Sequence, residues 1–366
     1  MKGIERDLLK MSVDALKGAY EGLNSMKCDM AAGYVSGGKS DTYGLDWMPE
    51  SIIKHKISDY DANIVLITEE TGKMHSGKKG IGPTQTVFVC DPTDRSIKLH
   101  EFITAMMDRE PSYRSREVHD VIGENLEEWQ NRIGNPSISG ASASMTVIRD
   151  RIVLFSVMVN YVTGEIFVAN SIGTKYGNME EDTDITKMND LEFPANQPKN
   201  HSFATFLKKP GYPENLQKCS LGLKEEDCID PWAPGPMRIL YLSSLNSGNE
   251  SVSFILSNGE KIGEWLPWLP WIKYARDPVE SDEHALEAYR IFFDDPRTKE
   301  LVLVAPAPHY SIFTEEDGET KINLDRMFQL DDPSHYRETL LVTPRHNFDA
   351  IGRVTSLGKY QQKMKL

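Results

Sequence analysis

Near the start of the chain the apolar positions fall on one side of a helix. Ile4, Leu8, Leu9, Val13, Leu16, Ala19, Tyr20 and Leu23 recur at helical spacing and predict an amphipathic helix over residues 4–24. A second helix is predicted over residues 47–56. The pattern then changes. IVLIT at 64–68 and TVFVC at 86–90 are continuous apolar or β-branched runs, the signature of buried strands. Both end in acidic residues, which puts Glu69 and Glu70 after one strand and Asp91 after the other.

Residues 98–135 turn polar, charged and helical, an excursion placed between the strand before Asp91 and the next part of the sheet, over the site. Residues 144–148, 152–159 and 165–169 read as an antiparallel meander, joined by a tight turn at 149–151 and by Thr163-Gly164. Residues 178–235 are rich in Asn, Pro, Lys and acids, and predict long loops or a domain junction. The boundary is placed there. Residues 1–185 form an antiparallel-rich α+β domain carrying the acidic motifs, and residues 186–366 an α/β domain completing the site. In the second half, strands are expected at 237–242, 252–256, 301–304 and 339–342. Asp277-Pro278-Val279-Glu280 has a capping-box form that predicts a helix to about residue 293. The fold class is α/β, a layered α+β arrangement of helices and sheets.

Composition narrows the function. The 366 residues suffice for two domains or one large layered unit. A formal charge of −14, with no segregated basic stripe, argues against binding a nucleic acid polymer. An acidic protein that handles a phosphate ester needs local positive charge, which divalent cations supply where side chains do not. Cys28, Cys90, Cys219 and Cys228 show neither CxxC pairs nor metal-ligand spacing, which predicts a reduced, cytoplasmic protein. The first twenty residues are amphipathic and contain acidic residues, with no continuous apolar stretch, so no secretory leader and no membrane span are expected. The aromatic run WLPWLPW at 265–271 reads as packing or a subunit contact.

The densest chemistry lies in VFVCDPTDRS at 87–96. An apolar strand delivers Asp91, and a Pro-containing turn brings Asp94 beside it. Like charges this close disfavour the ionised pair unless a cation lies between them, so two such carboxylates suit Mg²⁺, an ion that takes oxygen ligands. The carbonyl of Thr93 adds a third oxygen. Taken alone, an Asx turn at Asp91 and a helix cap at Asp94 account for the same residues.

Further motifs stand in order around this one. Lys39-Ser40-Asp41 precedes Asp46 and Glu50; the run 67–72 carries Glu69-Glu70-Thr71-Gly72; and VMVNYVTGEIFVANSIG spans 157–173. Together they resemble the inositol monophosphatase superfamily, which includes fructose-bisphosphatases and nucleotide 3'-phosphatases. Its pattern is Lys-x-Asp…Asp-x-x-x-Glu, a strand ending Glu-Glu, and a strand ending Asp-Pro-x-Asp-x-Ser/Thr. The resemblance covers about the first half of the chain and implies an alternating helix and sheet sandwich. It also implies Mg²⁺-dependent hydrolysis of a sugar, cyclitol (inositol) or nucleotide phosphomonoester, with two or three ions, inhibition by Li⁺ and a homodimer.

Residue by residue, the resemblance implies that Glu69 and Asp91 with the Thr93 carbonyl hold one ion, and that Asp91 with Asp94 holds another. Asp46 and the Ser96 hydroxyl orient and deprotonate the attacking water. Glu70 joins them, behind the ligands or toward a third ion. Ser96 also opens a segment whose free N–H groups suit phosphate oxygens. The implied reaction is an in-line displacement without a phosphoenzyme. The sequence contains no Cys-x5-Arg loop.

The chain departs from the family at three places. Arg95 stands where the family carries Gly or Ser, as a substrate phosphate contact or as a solvated, paired cation. The family's late Trp-Asp is missing, since PWIKYA at 270–275 has Ile272 at the Asp position. Asp277, five residues on, takes that metal ligand's place or caps a helix. The stretch 98–138 is longer than in the smallest members, and its Arg109, Arg114 and Arg116 read as contacts to a second anionic group or as a solvated face. These departures admit a rival function, a catalytically weak or inactive relative that binds a phosphorylated ligand or a protein.

Overall fold

The structure, a computed structural model, describes residues 3–35, 42–59, 64–68, 71–76, 86–170, 173–181 and 183–190, and beyond them the backbone of strands between residues 202 and 344. The opening helix, α1 (Gly3–Asn24), buries Leu8, Leu9, Val13, Leu16, Ala19, Tyr20 and Leu23, the face its spacing predicts. Ile4 is the exception: it lies before the packed stretch and stays exposed. A short helix that the pattern did not announce, α2 (Cys28–Ala32), follows.

The second predicted helix is longer than expected at both ends, α3 (Gly44–Ser58). Its start is drawn back because Asp46 folds over to accept the Tyr43 N–H at 3.1 Å. Helices α1 and α3 approach closely, and a side chain at Gly22 would run into Ile52.

The first sheet has eight strands in the order β2-β1-β3-β4-β5-β6-β7-β8. They are β1 (Ile64–Thr68), β2 (Gly72–Ser76), β3 (Thr86–Asp94), β4 (Ser142–Arg149), β5 (Ile152–Asn160), β6 (Glu165–Asn170), β7 (Gly173–Asn178) and β8 (Asn189–Asp190). β1 and β3 run parallel, while the meander from β3 to β8 is antiparallel. β1 and β3 are buried along their whole length, as uninterrupted apolar runs require. Asp150 and Arg151 take positive φ values of 52° and 67° in the tight turn between β4 and β5. The sequence did not indicate β2, whose polar run GKMHS pairs with β1 as a hairpin after Gly72, at φ 69°.

The charged stretch between β3 and β4 is helical: α4 (Ser96–Arg109), a 3₁₀ turn (Pro111–Ser115), α5 (Val118–Glu124), α6 (Leu126–Arg132) and α7 (Pro136–Ser139). Trp129 of α6 packs on Phe102 of α4, with ring centroids 4.8 Å apart. One continuous core joins α1, α3, α4, α5 and α6 to the first sheet.

The second half contains β9 (Ser202–Phe206), β10 (Cys228–Ile229), β11 (Val252–Lys261), β12 (Ala288–Phe292), β13 (Leu301–Pro306) and β16 (Arg337–Pro344), ordered β10-β9-β11-β16-β13-β12. β14 (Phe313–Glu316) and β15 (Glu319–Ile322) form a hairpin. The strands expected at 252–256, 301–304 and 339–342 are present, and the 178–235 stretch, expected as long loops or a domain junction, holds short strands. The helix expected to reach residue 293 is corrected. Residues 288–292 form β12, in antiparallel register with β13 from Ala288–Pro306 to Phe292–Val302. The capping signal is local, whereas AYRIF has strand-forming side chains and an apolar partner strand. The strand expected at 237–242, the helix start at Asp277 and the run 265–271 lie outside the described residues. The architecture is a layered α/β fold with mixed sheets and packed helices. Among the described residues, no helix is long and apolar enough to cross a membrane.

Candidate active site

β3 does not stop at Cys90, as its apolar run suggested, but continues to Asp94 across an irregular register. Asp91 pairs with Ser144 and Asp94 with Ser142, so the β3 side holds one extra residue. This is a bulge, and it falls at Pro92, which has no N–H for a ladder. The bulge keeps Asp91, Thr93 and Asp94 within the sheet and buried, each less than 10% exposed at 2%, 8% and 8%.

Three hydrogen bonds hold the bulge from different sides. The Thr93 N–H donates to Asp91 Oδ1 at 3.2 Å, closing an Asx turn. The Thr93 hydroxyl donates to the Leu45 carbonyl at 3.0 Å, which ties the bulge to the first turn of α3 beside Asp46. The buried Tyr161 hydroxyl donates to the Pro92 carbonyl at 2.7 Å. Asp46, also buried, has one carboxylate oxygen engaged with the Tyr43 N–H.

One turn beyond Asp46, Glu50 is buried and acts as a clamp. Its Oε1 accepts the Thr71 N–H at 3.1 Å and the hydroxyls of Thr68 and Thr71. These threonines flank Glu69 and Glu70 in the chain, so a carboxylate on the helix of Asp46 holds both ends of the segment that carries the two glutamates. Glu69, Glu70 and Asp277, together with Lys39, Ser40 and Asp41, lie outside the described residues.

After the bulge the chain enters α4 through Arg95, which is in the left-handed region at φ 67°. That conformation accounts for the glycine the family pattern carries here. Arg95, not Asp94, occupies the cap position, and its side chain does not cap the helix. The first turn carries no acidic residue and begins with the half-buried Ser96.

Electrostatics distinguish the reactive groups from the inert ones. Burial, reinforced by Asp91 and then Glu50, pushes the Cys90 thiol well above its ordinary range, so it is not a nucleophile. Burial likewise pushes the Tyr161 phenol well up, with Cys90 adding, a Thr93 hydrogen bond opposing, and Asp91 and Asp46 adding further.

The donor set suits a hard divalent cation: carboxylates of Asp91 and Asp94, and the Thr93 carbonyl. Ser142 strengthens the fit. It pairs with Asp94 across the sheet, is fully buried, and its hydroxyl has no hydrogen-bond partner among the described residues. Such a group calls for an ion's water or a substrate oxygen. Among the described residues, no group of three or more His, Cys, Asp or Glu side chains stands together as a metal cluster.

No protein-family profile and no curated protein matches the sequence. The structure is similar to the extragenic suppressor protein suhB from Bartonella henselae, with a TM-score of 0.51 and 14% identity over 96% of this chain and 99% of that one. It is similar to inositol monophosphate-bound SaIMPase-II at 0.52 and 11%, covering 98% and 97% of the two chains. The 2'AMP-bound SaIMPase-II gives 0.51 and 10%, covering 99% and 97%. The chain has the inositol monophosphatase fold.

Within that fold, the β3 bulge carries Asp91, Thr93 and Asp94 into Arg95 and Ser96 at the start of α4, and the Thr93–Leu45 hydrogen bond links this segment to the turn of α3 that bears Asp46. The basic residues of the excursion do not join them. Arg116 forms a fork with Glu124 at 2.6 and 2.7 Å, Arg109 bonds Asn125, and Arg114 faces Asp108. Each of the three thus has a polar partner on the excursion itself. The sequence motif named Glu50 without giving it a role, and Tyr161 was missed. Glu50 carried a signal, its position four residues after Asp46, but its hydrogen-bond partners lie on another element. Tyr161 carried none, since it is 69 residues from Pro92.

Proposed function

We propose that the chain is a Mg²⁺-dependent phosphomonoesterase acting on a small sugar, cyclitol or nucleotide phosphate. The observation that carries this reading is the tie between Thr93 and Leu45, which seats the buried Asp91 and Asp94 against the helix turn bearing Asp46 in a chain with this fold. Solved proteins of the same fold hold inositol monophosphate and 2'AMP, which supports a small phosphorylated ligand.

In this reading Glu69, Asp91, Asp94, Asp277 and the Thr93 carbonyl hold two or three Mg²⁺ ions. When bound, the ions neutralise charge on the phosphoryl oxygens and on the leaving alkoxide. Asp46 and Ser96 orient the attacking water and take its proton, with Glu70 assisting. The Arg95 guanidinium and the N–H groups opening α4 receive phosphate oxygens, since the helix start is positive and no acid competes there. The division into residues 1–185 and 186–366, inhibition by Li⁺, a homodimer and a cytoplasmic setting belong to the same reading.

A Mg²⁺ titration against a panel of phosphate esters, with Asp91→Asn as control, tests it. The expected result is Mg²⁺-dependent turnover by the wild type and its loss in Asp91→Asn. Equal turnover by both proteins would remove Asp91 from the mechanism. Ligand uptake without turnover would make the chain a phosphoryl-binding relative.

A further inference from the structure

We infer that Tyr161 is a positioning residue that presets the Asp91 carboxylate through the Pro92–Thr93 peptide. This rests on the metal-site reading of Asp91 given above.

A peptide unit is planar, so holding its C=O and its N–H fixes its orientation. Between Pro92 and Thr93 both ends are held. The carbonyl accepts from the Tyr161 hydroxyl at 2.7 Å, and the N–H donates to Asp91 Oδ1 at 3.2 Å. The second bond reaches the carboxylate itself, so a rotation of this peptide swings Asp91. The bulge makes the control necessary, because Pro92 removes the ladder bond that fixes such a plane in a regular strand.

Tyr161 is mounted to do this. It follows β5 and is fully buried. Its own N–H donates to the Ala141 carbonyl at 2.8 Å, and its carbonyl accepts from Asn24 Nδ2 of α1 at 3.3 Å. The ring therefore spans from α1 and the start of β4 to the bulge, and carries a donor at its tip. A phenylalanine would fill the same space and lack only the hydroxyl.

The test compares wild type, Tyr161→Phe and Tyr34→Phe, the last removing a tyrosine hydroxyl on the exposed surface. Two quantities are read: amide exchange of Thr93 in the ion-free chain by NMR, and Mn²⁺ uptake by calorimetry. In Tyr161→Phe, Thr93 exchange is expected to accelerate and Mn²⁺ affinity to fall, each by up to about tenfold. The circular dichroism should remain that of the wild type, and Tyr34→Phe should change neither quantity. If Tyr161→Phe does not fold, Asn24→Ala loosens the same strut from its far end and should show both effects in weaker form.

Unchanged Thr93 exchange, or faster exchange at unchanged Mn²⁺ affinity, would overturn the inference while leaving the hydrolase reading standing. Absence of Mn²⁺ uptake by the wild type would overturn both.

Discussion

Thr71 donates its backbone N–H to Oε1 of Glu50 at 3.1 Å, and the hydroxyl of Thr68 donates to the same oxygen. One buried atom on α3 thus closes the chain before Glu69 and after Glu70. Removing it in Glu50→Ala leaves an N–H and two hydroxyls without their acceptor. The expected loss is ~2–3 kcal/mol of unfolding free energy in a urea titration. Glu50→Gln keeps one acceptor oxygen and should lose less than half of that. Equal losses in the two variants would mean that the side chain contributes through packing.

Arg95 combines a strained backbone with a charge at the site. Arg95→Gly removes the left-handed penalty and should raise stability by ~1 kcal/mol in denaturant. It should also raise KM for a phosphate ester, because a guanidinium is lost. A variant that is more stable and equally tight for substrate would restrict Arg95 to strain alone.

Ser142 predicts a difference between the ion-free and ion-loaded chains. Its buried hydroxyl has no partner among the described residues, so Ser142→Ala should be neutral or stabilising without ions, by up to ~1 kcal/mol. With Mg²⁺ and phosphate present, the wild type should gain more in Tm than the variant. Identical ligand-induced gains would place the hydroxyl outside the site.

Stability should fall on the alkaline side. Burial, with Asp29 adding, raises the Cys28 thiol from 9.0 to about 11. Burial, with Glu180 adding, raises the Tyr20 phenol from 10.0 to about 12. The folded chain keeps protons that the unfolded chain has given up. Each contribution is therefore complete below the unfolded value and declines as pH rises toward the folded one. Urea midpoints should drop between pH 9 and 11 through Cys28, and again between pH 10 and 12 through Tyr20. Cys28→Ala should reduce the slope of the first decline.

Much of this architecture was legible in the residue pattern because hydrophobic periodicity is a local property. α1, β1, the Thr86–Cys90 part of β3 and the β4 to β6 meander can each be read from about ten neighbours, since one face or one run must leave water whatever it meets. The candidate site was legible for a related reason. Asp91, Thr93, Asp94 and Ser96 lie within six residues, and Asp46 and Glu50 within five, so the chain itself keeps each set together. The helix expected to run from the Asp277 cap to about residue 293 was misread at 288–292, where a local cap signal competed with a distant partner strand, and β2 was missed because its polar residues gain a strand conformation only from β1.

The sequence by itself determined which segments bury apolar surface and which acids share a turn, because both follow from covalent spacing and solvent transfer. Only the tertiary structure decided that Leu45 receives Thr93, that Glu50 brackets Glu69 and Glu70, and that Tyr161 grips Pro92. Hydrogen bonds act over about 3 Å and depend on direction, so their partners exist only after helices and sheet have packed.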